Sequence, residues 1–199
     1  KQSQHPKSGY FLNDLTQLYS TLKNLKEANQ KAILSAIQSN SVIGGKATRV
    51  SVTPTISASP DYSSGDNVGG IQSIPLAVRT SSGTATLFQL DIWDKAAQNS
   101  AFIIDFWDAS PSGTYTDNSA EVIAGDDGKY LGSVFVSSAD WVTTGAVSRC
   151  SIKGIGLLVK PSTGTTVYAT VLTTSVPNQA STSDLIFKYS FIQDRKSVV

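Results

Sequence analysis

Carboxylates are the only plausible catalytic side chains in this sequence, which holds thirteen Asp and two Glu among 199 residues. The densest group is Asp91, Asp94, Asp105 and Asp108, and two carboxyl groups on either side of a sugar linkage could hydrolyse it. Asp94 and Asp108 stand where apolar runs give way to turns, which is typical of turn-capping Asp. Asp91 takes a polar position in an alternating run. Only Asp105 lies inside an apolar run, so the group predicts structural carboxylates rather than a catalytic pair.

A second acidic cluster lies in the segment 117–127, beside two glycines. Asp117, Glu121, Asp126 and Asp127 could supply the oxygen ligands that Ca²⁺ prefers. Their spacing does not follow the EF-hand pattern. We expect a solvated acidic loop, with calcium binding as the alternative.

Histidine and cysteine are too scarce for nucleophilic or zinc chemistry. His5 is the only His and lies in a polar leader, and Cys150 is the only Cys. A Ser-His-Asp or Cys-His system needs a His beside its nucleophile, and zinc needs several such ligands. We therefore predict no catalytic residues, no metal site and no cofactor, so that the protein is not an enzyme. Cys150 opens an apolar strand and is expected to be a buried, reduced thiol.

Exposed aromatic rings could stack on sugars, and the sequence has three Trp, at Trp93, Trp107 and Trp141. Trp93 and Trp107 both end apolar runs, where large rings usually close a core. We expect a core or interface position for them rather than a sugar-binding platform.

The composition indicates a β-rich protein, because Ser and Thr together make about a quarter of the residues. No apolar run approaches the roughly 18 residues that a membrane-spanning helix needs. The net charge of +1 leaves no electrostatic footprint for nucleic acid on the body of the protein. Neither a membrane nor a nucleic acid is therefore an expected partner.

Short apolar runs alternate with turn-forming residues from residue 47 onward and predict antiparallel strands. Their number favours a β-sandwich, with a jelly roll first and an immunoglobulin-like fold as the alternative. Pro75 cannot donate to a strand ladder, so the second strand is expected at an edge or a bulge. In the third strand, Phe88, Leu90 and Ile92 are expected to share one face. The predicted strands are 48–57, 71–79, 84–94, 101–108, 130–137, 150–160, 165–174 and 184–193.

Residues 12–39 have helical spacing instead, and Asn13 is expected to cap the helix N-terminus. Apolar residues recur at intervals of three and four and predict a heptad seam, with Asn29 as the polar member that fixes register. We expect a parallel coiled coil, most simply three-stranded. The alternative is an amphipathic helix packed on its own β domain. The seam residues are Leu15, Leu18, Leu22, Leu25, Asn29, Ala32 and Ala36.

Charge and periodicity divide the chain into two parts. Residues 1–46 carry a net charge of +4, whereas 47–199 carry −3. Gly44 and Gly45 are expected to form a flexible hinge between them. We predict a helical arm over 1–46 for oligomerisation or anchoring, and a β-sandwich domain over 47–199.

Seven short strings follow one another along the β part of the chain. They are ASPDYSSGDNVGG at 58–70, KAAQNSA at 95–101, FWDASP at 106–111, YTDNSA at 115–120, SSADW at 137–141, GTTVY at 164–168 and ASTSDL at 180–185. In order and spacing they resemble a little-characterised family of tailed-bacteriophage virion structural proteins. The resemblance covers residues 50–194 and leaves the helix out.

The resemblance implies a structural part of a virion, and it carries over no catalytic residues. Together with the helix, it leads us to expect a capsid decoration or head-fibre protein of a tailed phage. Such a protein would be a homo-oligomer, with a trimer favoured, and would contact other virion proteins such as the major capsid protein. The alternative is a tail- or fibre-associated module that binds host-surface glycan.

Overall fold

A computed structural model describes residues 8–40 and 46–194. The chain divides into two compact units, Lys1–Gly44 and Gly45–Val199. The predicted hinge at Gly44 and Gly45 lies outside the described residues, as does His5.

The first unit contains helix α1, Ser8–Asn40. The expectation that Asn13 caps this helix is wrong, because the helix begins at Ser8. In the sequence, Phe11 stands four residues before Leu15, so the apolar spacing of the seam extends to the N-terminal side of Asn13. Side chains of α1 are described for 15–33, which leaves Ala36 outside that range. Within the described part of the chain, no helix is long and apolar enough to cross a membrane.

The second unit is an antiparallel β-sandwich, as the sequence predicted. One sheet has the strand order β1-β9-β3-β7-β6 and the other has the order β2-β8-β4-β5. The strands are β1 (Lys46–Val52), β2 (Gln72–Ile74), β3 (Ala85–Asp94), β4 (Phe102–Trp107), β5 (Tyr130–Val136), β6 (Trp141–Thr144), β7 (Val147–Val159), β8 (Val167–Thr173) and β9 (Leu185–Gln193).

The strand pairing is nested, which makes the sandwich jelly-roll-like. The first strand pairs with the last, β2 with β8, β3 with β7, and β4 with β5. The pairs β3–β9 and β4–β8 join these strand pairs into two four-stranded arrays, which is the double Greek-key arrangement of a jelly roll. The ninth strand, β6, is added beside β7. The short strand β2 lies at a sheet edge and ends before Pro75, so the edge prediction is confirmed.

Aromatic rings fill the space between the two sheets. Phe102 contacts both Trp141 and Phe187, each with ring centroids 6.3 Å apart. Phe106 meets Tyr189 edge-on at 5.8 Å, and edge-to-face contacts of this kind add to the free energy gained by burial. Trp141 belongs to this core, whereas Trp107, expected in a core or at an interface, is buried outside it.

Two local features escaped the sequence analysis. Strand β6 is a missed hairpin partner of β7, joined by a two-residue turn that begins with Gly145 at φ +64°, as a type II′ turn requires. The prediction that Phe88, Leu90 and Ile92 share one face is wrong for Phe88, because a bulge between Leu87 and Gln89 shifts the alternation. Phe88 consequently points outward, whereas Leu90 and Ile92 are buried.

Candidate functional site

A groove of about 630 Å³ runs over the outward surface of the four-stranded sheet. We call it the outer groove. Its floor comes from β4, β5 and β8, and its wall comes from the loops that follow β1 and β4. It is lined by Gly65, Ile103, Asp105, Trp107, Glu121, Ile123, Asp127, Tyr130, Ser133, Phe135 and Leu172.

The strand register sets the floor of the outer groove in rows. Ile103 lies between Phe135 and Leu172, and the next outward position pairs Asp105 with Ser133. Large apolar side chains are left facing water here: Phe135 is 69% exposed and Tyr130 is 47% exposed. Exposed apolar surface concentrated in one concave place is typical of a binding site.

A bulge in β5 presents Tyr130 to the outer groove. The register between β4 and β5 shifts between Phe106 and Trp107, opposite Gly132. Gly132 has φ +143°, and a Cβ there would lie 2.7 Å from Leu157 Cδ1, so this position favours glycine. Below Tyr130, the buried Trp107 donates from Nε1 to Thr170 Oγ1 at 3.1 Å and supports the ring of Tyr130 edge-on.

Two carboxyl groups, Asp105 and Glu121, share the outer groove. Burial raises the pKa of Asp105 against the opposing effect of a hydrogen bond from Ser133. Burial also raises the pKa of Glu121, against a hydrogen bond from Asn67, and the charge of Asp105 raises it further. Among the residues lining the groove there is no Lys or Arg, so these carboxyls face apolar surface without a compensating cation.

Most of the acidic loop is exposed or partly exposed, as the sequence predicted, and Asp126 is the exception. Asp126 is fully buried and holds the loop after β4 together. It accepts hydrogen bonds from the backbone N–H groups of Ser112 and Gly113 at 2.8–2.9 Å, and from Lys129 Nζ at 2.8 Å. The Lys129 ammonium, together with these donors, holds the pKa of Asp126 well below its usual range.

The other carboxylates of this loop have partners of their own. Asp117 accepts from the hydroxyl of Tyr62 at 2.7 Å and from the backbone of Gly69 at 2.6 Å. Asp127 is exposed, and Glu121 faces the outer groove. No group of three or more His, Cys, Asp and Glu placed to hold a metal ion is found in the described part of the chain.

The dense Asp group is dispersed over the sandwich. Asp91 lies on the outward surface of the other sheet, in an ion pair with Arg49. Asp94 is buried and caps a turn by accepting from the backbone of Ala96 and Gln98 at 2.9 and 2.7 Å, so the turn-capping prediction for it is confirmed. Asp105 alone reaches the outer groove, where its neighbour is Glu121 rather than a member of the group.

A second, smaller groove of about 390 Å³ lies on the five-stranded sheet. Trp93, expected in a core or at an interface, lies outside the core, because Ile92 and Asp94 point inward and turn Trp93 outward, leaving it 38% exposed. Lys188 Nζ lies 5.2 Å from the centre of its ring. Arg49, Arg149 and Lys188 line this groove together with Asp91 and Asp140, so it contains cations, unlike the outer groove.

Cys150 lies beside this second groove, and its predicted burial is confirmed. Burial raises the pKa of its thiol to about 12. The thiol is therefore protonated at neutral pH and a poor nucleophile.

Sequence analysis missed three members of the outer groove: Glu121 as a partner of Asp105, and the rings of Tyr130 and Phe135. The alternation of Ser133 and Phe135 against the buried Val134 and Val136 was a usable signal for one face of β5. Which strand and which loop would lie beside that face depends on register and packing, which alternation does not encode.

No family model matches the chain, and no curated protein matches it either. Among solved structures, it is similar to CBM27-1 of Caldicellulosiruptor saccharolyticus in complex with mannohexaose, at 11% identity over 76% of each chain and a TM-score of 0.35. It is also similar to tomato aspermy virus, at 8% identity over 87% of this chain and 98% of the other, with a TM-score of 0.31. The VP2 subviral particle of infectious bursal disease virus gives 15% identity over 74% of this chain and 32% of the other, with a TM-score of 0.26. Likenesses this remote do not decide what the present protein binds or assembles with.

Proposed function

We propose that this protein is a structural component of a tailed-bacteriophage virion, a capsid decoration or head-fibre protein that acts as a homo-oligomer. The observation that carries the proposal is the exposed seam of α1. Leu15, Leu18, Leu22 and Leu25 are each more than half exposed, and soluble proteins rarely leave a continuous apolar stripe facing water unless a partner covers it.

In such a protein the two units would have different roles. The seam of α1 supplies the surface through which three chains associate, since closed symmetry is the rule for homo-oligomers. The jelly roll supplies a rigid body of a kind that capsid and lectin domains both use. The resemblance of residues 50–194 to virion structural proteins supports the same assignment.

An add-back experiment tests the proposed location. Particles are prepared from a phage whose gene for this protein is deleted, and purified protein carrying a gold label is added and viewed by electron microscopy. We expect label distributed over the capsid surface. Label confined to the tail, or particles that take up no label, would contradict a decoration role.

A second candidate is a tail- or fibre-associated module that binds host-surface glycan. The outer groove favours it, because exposed rings beside carboxyl groups are the chemistry that proteins use for sugars. In this candidate the copy number per particle is low, and attachment to the host rather than reinforcement of the capsid is the task.

A further inference from the structure

We propose that the outer groove binds a segment of an uncharged polysaccharide. The inference rests on the second candidate function, glycan binding, and it assigns the site and the ligand class. Tyr130 and Phe135 would stack on the apolar faces of sugar rings, and Asp105 and Glu121 would accept hydrogen bonds from sugar hydroxyls.

The groove combines two features that are energetically unfavourable in a folded protein without a ligand. Phe135 of the floor and Ile123 of the wall are 69% and 57% exposed. Beside them, Asp105 and Glu121 are partly withdrawn from water without a cation to compensate them. A desolvated carboxylate loses hydrogen bonds from water, and a ligand rich in hydroxyl groups would restore them as charge-assisted bonds.

Charge selects the class of ligand. The lining includes Asp105, Glu121 and Asp127 and no Lys or Arg, so an anionic polysaccharide would be repelled. A neutral sugar presents hydroxyl donors and carbon–hydrogen faces without that penalty. A volume of about 630 Å³ is within the usual range for sites that hold small ligands or a few sugar units.

The carboxyl groups are held in place before any ligand arrives. Asn67 is fully buried and donates from Nδ2 to Glu121 Oε2 at 3.2 Å, while its own Oδ1 has no hydrogen-bond partner among the described residues. Ser133 donates to Asp105 and also contacts the Tyr130 hydroxyl. Groups fixed in advance lose less conformational entropy on binding, so Asn67 and Ser133 act as positioning residues.

The second groove provides a matched control on the same molecule. It carries an exposed ring, Trp93, but its lining holds charges of both signs: Arg49, Arg149 and Lys188 with Asp91 and Asp140. Substitutions at Trp93 therefore test whether any sugar binding observed belongs to the outer groove.

Affinity electrophoresis in native gels tests the proposal with the full-length protein. The gels contain mannan, laminarin or dextran as neutral probes, or polygalacturonate as an anionic probe. We expect at least one neutral polymer to retard the protein. Phe135→Ala and Tyr130→Ala, at exposed positions that leave the core intact, should each weaken the apparent affinity about tenfold, which is 1.4 kcal/mol. The variants Trp93→Ala and Val142→Ala, on the opposite sheet, should be retarded as strongly as the unmodified protein is.

Each other outcome overturns a defined part of the proposal. Retardation that is lost in Trp93→Ala and kept in Phe135→Ala overturns the site while leaving glycan binding standing. Retardation by polygalacturonate alone overturns the ligand class. Absence of retardation by all three neutral polymers overturns both the inference and the second candidate. Release of reducing ends that Asp105→Asn abolishes would show an enzyme instead of a binding site. The add-back experiment judges the virion location independently of all of these.

Discussion

Asp105 is placed where a carboxylate opposes folding. Because burial raises its pKa, the folded protein binds this proton more tightly than the unfolded chain does. The destabilisation is complete above the folded-state pKa and disappears as the pH falls below the ordinary value of 3.8. Asp105→Asn, which can still accept from Ser133, should therefore raise the unfolding temperature at pH 7 by a few degrees.

The difference between Asp105→Asn and the unmodified protein should shrink when thermal unfolding is followed by circular dichroism at successively lower pH. Asp61→Asn, at an exposed position in the loop after β1, serves as the control and should leave the midpoint unchanged. A lower midpoint for Asp105→Asn at neutral pH would contradict the assignment of a desolvated carboxylate.

Cys150 offers a second test at the residue scale. Its side chain is buried and burial raises the pKa of the thiol to about 12, so neither access nor thiolate is available at neutral pH. We expect a thiol reagent to label the native protein slowly and the denatured protein at once. In the control variant Ser64→Cys, the new thiol is at an exposed position. It should be labelled rapidly, which shows that the reagent is active. Rapid native labelling of Cys150 itself would mean that its strand opens readily.

The residue scale is also where sequence reasoning reached part of the site. Asp105 stood out because an acid within an apolar run has no obvious structural role, and the structure places it in a groove. Glu121, which lines the same groove, belongs to a loop, and its place near Asp105 depends on how that loop folds over β4. Local patterns specify a side chain's face, whereas the pairing of distant segments comes from packing over the whole sandwich.

The loop after β4 is held by a single buried carboxylate. Asp126→Asn would remove the charge that Lys129 pairs with and would turn one acceptor oxygen into a donor facing the N–H groups of Ser112 and Gly113. We expect this variant to unfold several degrees lower and to be cut in the segment 108–129 by proteases that spare the unmodified protein. Asp127→Asn, at the exposed neighbouring position, should behave as the unmodified protein does, and equal behaviour of the two variants would contradict the role of Asp126.

The helix carries a prediction of its own. Asn29 occupies a seam position, where a buried amide costs stability and fixes oligomer number. Asn29→Ile should raise the melting temperature of the helical signal and broaden the distribution of oligomers measured by sedimentation velocity. Gln30→Ile, one residue off the seam, should change neither. A protein that sediments as a monomer at all concentrations, with or without Asn29→Ile, would contradict the coiled coil.

At the scale of elements, alternation and turn residues located eight strands and one helix. The misses have physical causes. Strand β6 is only four residues long and is defined by its pairing with β7. Phe88 faces outward because a bulge changes the phase of β3, and a bulge leaves no mark in the alternation before it. The helix starts earlier than Asn13 because apolar spacing continued beyond a plausible cap.

At the scale of the whole molecule, the sequence predicted the fold class but not which strands pair with one another. The number of strands and the turn spacing favoured a sandwich, and the jelly-roll order arises from which strands meet across the core. Function follows the same division. Scarce His and Cys and dispersed Asp argued for a structural or binding role, and the exposed seam and the outer groove are the surfaces through which such a role would be carried out.

The copy number per particle tests the central claim most directly. Under the proposed function a tailed phage encodes this protein. Its virions are purified, and the protein is quantified by mass spectrometry against isotope-labelled peptides, with the major capsid protein as the internal reference. A decoration or head-fibre protein predicts a ratio that corresponds to hundreds of copies per virion, in multiples of three. A handful of copies would contradict decoration and favour a tail or fibre module, and absence from the particle would contradict the virion assignment altogether.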